Sequence, residues 1–204
     1  CLAVYQLAPK GWRRRVLLAC GYVFFYLFSG KLLVYLLATT LLVHCIGIWL
    51  AWLKSEEKAA AAKVSGSERK AVKAAYQKQS RRVLLLGVVL LLGVLAYLKY
   101  YNFFVSNISG VIEMCHLPFS LEQKSLIMPI GISFYTLQAI GYMADVYWGK
   151  IKAETNLENT ALFLAFFPQI MEGPISRYSD VSDTLFSEKP LELRNLQNGY
   201  IRII

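Results

Sequence analysis

Two long apolar stretches constrain this chain more than any other feature. Residues 32–53 contain a single imidazole, His44, and residues 83–105 contain one ammonium group near their far end, Lys99. A helix needs about 20 mostly apolar residues to cross the hydrocarbon core of a bilayer. Hydrophobic residues make up 56% of the chain, which exceeds the usual range of soluble domains. The sequence therefore predicts an all-α, polytopic integral membrane protein.

Two further spans are expected, at residues 16–30 and 126–149. The first follows a basic cluster and is marginal in length, and residues 1–9 are interpreted as the tail of an earlier helix that Pro9 ends. The second contains the sequence Pro-Ile-Gly near its beginning. We expect Pro129 to lie in the first turn of that helix, where the N–H that proline lacks would have no helical partner. Several transmembrane helices are thus predicted.

The charges are segregated into one loop. The net charge is +9, and residues 54–82 carry nine basic and three acidic side chains between two apolar spans. Basic loops between spans are typically cytoplasmic, so we expect 54–82 to be a cytoplasmic helical loop that lies on anionic headgroups, with a partner-binding role as the alternative. The lipid bilayer is then the partner of these charges, and no nucleic-acid partner is expected. The predicted location is the inner, or plasma, membrane.

Residues 161–171 predict a different kind of element. They form a run of eleven uncharged residues that contains Pro168, which is too short for a helix that crosses the core. Irregular backbone at membrane depth is tolerated only where it is buried in protein or lines a wet cavity. We therefore expect a short re-entrant or broken helix that shapes a pocket.

Polar side chains interrupt the predicted span 126–149. Asp145 is the costly one, and Lys150, Lys152 and Arg177 are its candidate partners. Tyr135 and Gln138 lie three residues apart, on one helical face. They are expected to line a passage, although aromatic packing between helices explains Tyr135 equally well.

Four sequence blocks support a resemblance to a known family. They read KYYNFF at 99–104, PIGISFYTLQ at 129–138, GYMADVY at 141–147 and FFPQIMEGPISRY at 166–178. In this order they resemble the membrane-bound O-acyltransferase family, in its bacterial alginate O-acetyltransferase-like branch. The motif residues that we expect to line or support its tunnel are Pro129, Gly131, Ser133, Tyr135, Gln138, Asp145, Pro168, Gln169, Glu172, Gly173, Pro174 and Arg177.

The resemblance implies an O-acyltransferase. Such a protein moves an acyl group, by resemblance an acetyl group, to hydroxyls of an exported cell-surface polysaccharide. The acyl donor, acetyl-CoA or a carrier-bound acyl group, arrives from the cytoplasm as a substrate, and no bound cofactor or metal is expected. The implied partners are a separate extracytoplasmic transferase and the polysaccharide machinery.

The catalytic group is expected outside these residues. The family's hallmark is a histidine in a later helix, and neither His44 nor His116 lies in matching sequence. The chain is thus interpreted as a fragment of a single O-acyltransferase domain over 1–204, inactive alone, with its histidine beyond Ile204. His44 is expected to be neutral and bonded to a neighbouring helix. Arg177, or backbone N–H groups near Gly173, are candidate oxyanion donors, with an architectural role as the alternative.

Three other functions remain open at this point. The D-alanyl transferases of teichoic acid modification share the layout, although they typically have Tyr-Leu and Arg where this chain has Phe134-Tyr135 and Gln138. A transporter or channel with a midplane solute site would explain the broken segments, but it predicts internal repeats, and the second half does not echo the first. A scaffold subunit leaves the polar, broken segments unexplained.

Overall fold

The computed structural model describes residues 2–114, 129–171 and 176–190, and within them the protein is all-α, as predicted. This part of the chain contains eight α-helices, one turn of 3₁₀ helix and no strand. The helices are α1 (Leu2–Leu7), α2 (Arg13–Ser29), α3 (Leu33–Ala62), α4 (Gly66–Met114), α5 (Ile132–Trp148), α6 (Leu157–Ala165), α7 (Phe167–Met171) and α8 (Tyr178–Leu185).

Two helical stretches are long and apolar enough to cross a membrane, Arg13–Ala62 and Gly66–Ser109. The first is divided by a turn of 3₁₀ helix at Gly30–Leu32, where the chain reverses direction. The reversal is evident because Leu18 and Leu41, which lie on either side of this turn in the sequence, line the same cavity. This agrees with two antiparallel spans joined by a tight turn near residue 31.

The outward faces of these helices are apolar. Leu27 is 75% exposed and Val89 is 65% exposed, and each has apolar neighbours on the same helix. A helix on the surface of a soluble protein would turn charged residues outward instead. The exposed apolar faces, like the length of the helices, place the protein in a membrane.

Helices α3 and α4 extend far beyond their apolar spans. Helix α4 has 49 residues and is about 74 Å long at 1.5 Å per residue, whereas the hydrocarbon core is about 30 Å thick. The predicted helical loop 54–82 consists of the end of α3 and the beginning of α4, which are separated by a break at 63–65. It is therefore a rigid extension of two spans.

Helix α5 begins later than predicted, at Ile132 instead of residue 126. Pro129 precedes the helix and is not in its first turn, and residues 126–128 lie outside the described part. The reason is Gly131, whose φ of +67° is left-handed and prevents an α-helix from continuing through it. A Cβ atom there would collide with Ile170, so the glycine also permits the approach of α7.

The core lies where α5 packs against α3 and α4. The buried face of α5 includes Tyr142 and Met143. Gly47 on α3 faces the ring of Tyr142, and Gly87 on α4 faces Met143. Small residues at helix contacts let membrane helices approach closely, so these two glycines set the spacing of the three-helix core. In contrast, Cys45 is exposed on α3.

Helix α6 enters the bundle between α2 and α3. It begins at Asn156, whose side chain accepts a hydrogen bond from the N–H of Glu158 at 2.9 Å, the usual N-cap arrangement. Residues 159–165 are all buried. The helix ends at Ala165, and Phe166 is extended. With nine residues it is about 14 Å long, so it reaches into the bundle without crossing it, as the sequence predicts.

We expect Gly21→Ala to destabilise the fold. A Cβ atom at position 21 would collide with the carbonyl oxygen of Ala165 and force α6 away from α2, at a cost of about 1 to 3 kcal/mol. The free energy of unfolding in mixed micelles measures this cost. Gly93→Ala is the matched control, because no atom lies within 4 Å of its Cβ position. Equal stability of the two variants would contradict the close contact between α2 and α6.

Candidate functional site

The broken segment between α6 and α7 lies inside the bundle. The break falls at Phe166, two residues before Pro168. Pro168 itself lies in the first turn of α7, where its missing N–H leaves no hydrogen bond unmade. Residues on both sides of the break are buried, with Ala165 at 0% and Ile170 at 1% exposure. The irregular backbone is therefore present, but its shelter is partial, since Phe166 and Gln169 are half-buried and Pro168 is exposed.

The side chain of Gln138 joins α5 to this broken segment. Its Nε2 donates to the backbone carbonyl of Phe163 at 3.3 Å and to Oε1 of Gln169 at 3.0 Å. The carbonyl belongs to the last turn of α6, where no following helical N–H is available. Gln138 is 5% exposed, so these hydrogen bonds form in a low-dielectric interior. The structure thus brings together two of the predicted site residues, from motifs 31 residues apart.

Tyr135 lies one helical turn before Gln138 and is buried. Tyr135 is 1% exposed. Its ring packs against the ring of Phe25 in an edge-to-face arrangement, with 6.2 Å between the ring centroids. The hydroxyl has no hydrogen-bond partner within the described residues. A buried hydroxyl without a partner is costly. The aromatic packing that the sequence offered as an alternative is observed, together with an unsatisfied polar atom.

Two other predicted site residues lie at opposite ends of α5. Ser133 accepts a hydrogen bond from Nζ of Lys99 at 3.3 Å. Asp145 pairs with Lys150 at 3.6 Å, so one of its three candidate partners is observed. Asp145 is seven residues after Gln138, about 10 Å along the helix axis. The motif residues of α5 therefore do not form one cluster.

Arg177 lies apart from this buried network. It is exposed and precedes the first turn of α8. Glu172, Gly173 and Pro174 lie outside the described residues. The roles predicted for these four residues, as oxyanion donors or as architectural supports, stay predictions.

A groove opens beside the broken segment, and we call it the α8 groove. Its volume is about 530 Å³. It is lined by Tyr5, Leu17, Phe166, Gln169, Asp180, Val181, Thr184 and Leu185. These residues come from α1, α2, α7, α8 and the break itself. Because Gln169 also contacts Gln138, the groove lies next to the Gln138–Gln169 hydrogen bond.

A cluster around Glu154 holds α8 in place. The hydroxyl of Tyr178 donates to Oε2 of Glu154 at 2.6 Å, and the hydroxyl of Tyr142 accepts from the N–H of Glu154 at 2.8 Å. The rings of the two tyrosines meet edge to face at 5.1 Å. Sequence reasoning missed Glu154, because its partners lie 12 and 24 residues away and no local motif marks it.

The protonation states in this cluster follow from its contacts. Burial raises the pKa of Glu154, but hydrogen bonds from Tyr178 and from nearby backbone N–H groups outweigh it and hold the pKa below its ordinary value. Burial and the neighbouring carboxylate raise the pKa of Tyr178. At neutral pH a carboxylate therefore accepts from a neutral phenol, which is a strong, charge-assisted hydrogen bond.

Polar contacts also fix the beginning of α6. Nη1 of Arg14 donates to Oδ1 of Asn159 at 2.9 Å, and Arg15 pairs with Glu158 at 3.3 Å. His44 lies 3.2 Å, Nδ1 to Oγ1, from Thr160, which confirms the expected hydrogen bond to a neighbouring helix. Within the part of the chain described here, no group of three acidic, His or Cys residues is placed to hold a metal ion.

Comparison with known proteins gives three informative relatives. A probable alginate O-acetylase AlgI of Pseudomonas syringae pv. tomato is 31% identical over 204 residues, all of this chain and 35% of its own length. A peptidoglycan O-acetyltransferase of Helicobacter pylori is 31% identical over 56% of this chain and 25% of its own length. A teichoic acid D-alanyltransferase of Lacticaseibacillus rhamnosus is 33% identical over 46% of this chain and 27% of its own length.

The chain thus spans about a third of the length of the curated relatives that it matches from end to end. Probable alginate O-acetylases of other Pseudomonas species and of Azotobacter vinelandii align at 30 to 33% identity. No family model matches the chain, and no solved structure matches it.

The contact between Gln138 and Gln169 is expected to couple the two residues energetically. In a double-mutant cycle with Gln138→Ala and Gln169→Ala, the coupling should be about 1 kcal/mol, because the two side-chain amides bond to each other. Unfolding free energies of the four proteins give this value. A second cycle that pairs Gln138→Ala with Gln79→Ala, an exposed position on α4, should be additive. Additivity in both cycles would show that the glutamine pair does not form.

Tyr178→Phe should weaken the fold in a pH-dependent manner. The folded-state pKa of Glu154 lies below its unfolded value of 4.5, so the carboxylate stabilises the fold above that value and loses this effect as the pH falls. The variant should lose about 1 kcal/mol at neutral pH, with solvent screening allowed for, and less below about pH 4. Tyr26→Phe, at an exposed position on α2, is the control. A loss that does not change with pH would exclude the carboxylate.

Proposed function

We propose that this chain, whose resemblance to the membrane-bound O-acyltransferase family is confirmed by its bacterial relatives, forms part of a membrane O-acyltransferase. The acceptor is an exported cell-surface polysaccharide and the acyl group is acetyl, as the names of the acetylating relatives suggest. The observation that carries the proposal is the end-to-end similarity to the alginate O-acetylases. The broken, buried segment between α6 and α7 supports it, because such a segment can form a tunnel wall.

The acyl donor enters through the α8 groove. Its lining residue Leu17 lies about one helical turn after Arg13–Arg15, the basic residues that begin α2, on the side that the distribution of basic residues assigns to the cytoplasm. Its volume of about 530 Å³ lies within the usual range of small-molecule sites. Phe166 and Gln169 are among its lining residues, so the acyl group would approach the pair of Gln138 and Gln169. Acetyl-CoA or a carrier-bound acyl group both suit this route.

The chain supplies the wall of the site, and the base lies elsewhere. A polysaccharide hydroxyl attacks the carbonyl carbon of the donor while a base accepts its proton, and the donor thiol leaves with a proton returned to it. The resemblance places the base on a histidine in the part of the relatives' length that this chain does not span. His44 is not assigned this role, because it does not lie in sequence that matches the family's histidine.

The remaining partners follow from the resemblance. We place the protein as a multi-pass protein in the inner, or plasma, membrane, beside an extracytoplasmic transferase and the polysaccharide machinery. The acyl group would cross from the cytoplasmic donor to the external acceptor. No nucleic acid takes part.

A second candidate function is D-alanyl transfer to teichoic acid. It is favoured by the alignment with the teichoic acid D-alanyltransferase, which covers less of this chain than the alginate O-acetylases do. Either reaction uses an activated acyl group from the cytoplasm and an external hydroxyl. A transporter remains the weaker alternative, since the sequence has no internal repeat.

Thr184→Trp tests the donor route in the whole protein. Thr184 lines the α8 groove and is exposed, so the larger side chain should fill the groove without disturbing the core. We expect O-acetylation of the polysaccharide to fall at least about tenfold, because the donor can no longer reach a reactive position. The ester content of the exported polysaccharide, normalised to the amount of protein in the membrane, measures this.

Asp183→Trp is the matched control, because Asp183 is exposed on the same helix and does not line the groove. It should acetylate normally. Full acetylation by the Thr184→Trp variant would refute the route through the α8 groove. Esterification by D-alanine in place of acetate would favour the second candidate function.

A further inference from the structure

A second groove lies on the other side of α5, where three helices leave the apolar region. Two adjoining cavities of about 310 and 470 Å³ share Lys54 and Val146 in their linings. The first lies between α3, α4 and the end of α5, and the second lies between α3 and the residues that follow α5. We call the two cavities together the interfacial groove. It shares no lining residue with the α8 groove.

The interfacial groove is strongly basic. Its charged lining residues are the lysines Lys54, Lys58, Lys73 and Lys152 and the single acid Glu57. Within residues 2–114, 129–171 and 176–190, none of these four lysines forms an ion pair. Lys150, nearby, is instead held by Asp145 and lies over the ring of Trp148. The groove therefore presents several ammonium groups without a counter-ion.

One of these lysines lies against the backbone at the end of α5. Gly149 ends the helix with a φ of +74°, and a Cβ atom there would collide with Nζ of Lys54. The ammonium group of Lys54 therefore lies directly against the end of α5, while the left-handed φ is what favours glycine at 149. Lys54 is half-buried, so its charge is screened less by water than that of a fully exposed lysine.

The floor of the groove is apolar and its rim is aromatic. Leu50 and Val146 are 3% and 4% exposed and lie beneath the lysines. Trp148 lines the same cavity and is 63% exposed. Tryptophan is enriched at the level of the lipid headgroups. We therefore place the groove at the boundary between hydrocarbon and water. The exposed apolar side chains of Leu85 and Leu86 follow its lining residue Ser80 by about one and a half turns of α4.

We propose that the interfacial groove binds the phosphate of one anionic phospholipid headgroup, with Lys54 and Lys73 as its principal donors. Phosphate oxygens accept well from several lysine ammonium groups. The apolar surface of α4 below the groove suits acyl chains, which a free nucleotide does not have. This proposal does not depend on the reaction that the protein catalyses.

Native mass spectrometry of the whole protein, released from nanodiscs of phosphatidylcholine with phosphatidylglycerol, tests the proposal. We expect the wild-type protein to retain one phosphatidylglycerol in preference to phosphatidylcholine. Lys54→Gln combined with Lys73→Gln should reduce that retention roughly tenfold, because each basic residue contributes to the attraction of an anionic lipid. Lys54→Arg combined with Lys73→Arg keeps both charges and should retain the lipid.

The control is Lys63→Gln combined with Lys70→Gln, which removes the same charge from positions that do not line the groove. It should retain the lipid as the wild-type protein does. If both neutralised variants lost phosphatidylglycerol to the same extent, general surface charge would explain the retention, and the proposal would be overturned. Displacement of phosphatidylglycerol by adenosine 3′,5′-bisphosphate would assign the groove to the phosphates of a nucleotide donor, and this outcome also overturns the assignment to a lipid.

Discussion

The fold depends on satisfying backbone polar groups where the chain is irregular inside a membrane bundle. Helix α6 ends at Ala165, and its last carbonyls have no helical N–H to accept from. A carbonyl that is left unsatisfied away from water would cost several kcal/mol. Gln138 meets this need, since one amide donates to the carbonyl of Phe163 and to Gln169. Gln138 of α5 thus stabilises the break between α6 and α7.

Close packing around the break then follows from glycines on both sides. Gly21 lets α6 approach α2, and Gly131 lets α7 approach the beginning of α5. At each position a Cβ atom would collide with backbone of the broken segment. The broken segment therefore packs closely between α2 and α5. This packing fixes the wall that the segment forms for the neighbouring groove. A small-molecule site needs this rigidity, because positioning governs the rate of group transfer.

Sequence patterns predicted the features that depend on composition over many residues. Apolar length placed the spans at 32–53 and 83–105, and the shortness of 161–171 predicted that this segment could not cross. The pairing of Asp145 was also foreseeable, because a buried carboxylate needs a cation. The late start of α5 at Ile132 was missed, because it depends on the left-handed conformation of one glycine. The Glu154 cluster was missed because distant helices bring its members together.

The loop 149–156 supports both grooves, which makes it the structural link between them. Gly149 and Lys152 belong to the interfacial groove, while Glu154 holds Tyr178 at the beginning of α8. The loop is fastened to α5 twice, by Lys150 to Asp145 and by the backbone of Glu154 to the hydroxyl of Tyr142. A displacement of the loop would therefore alter the walls of both grooves together.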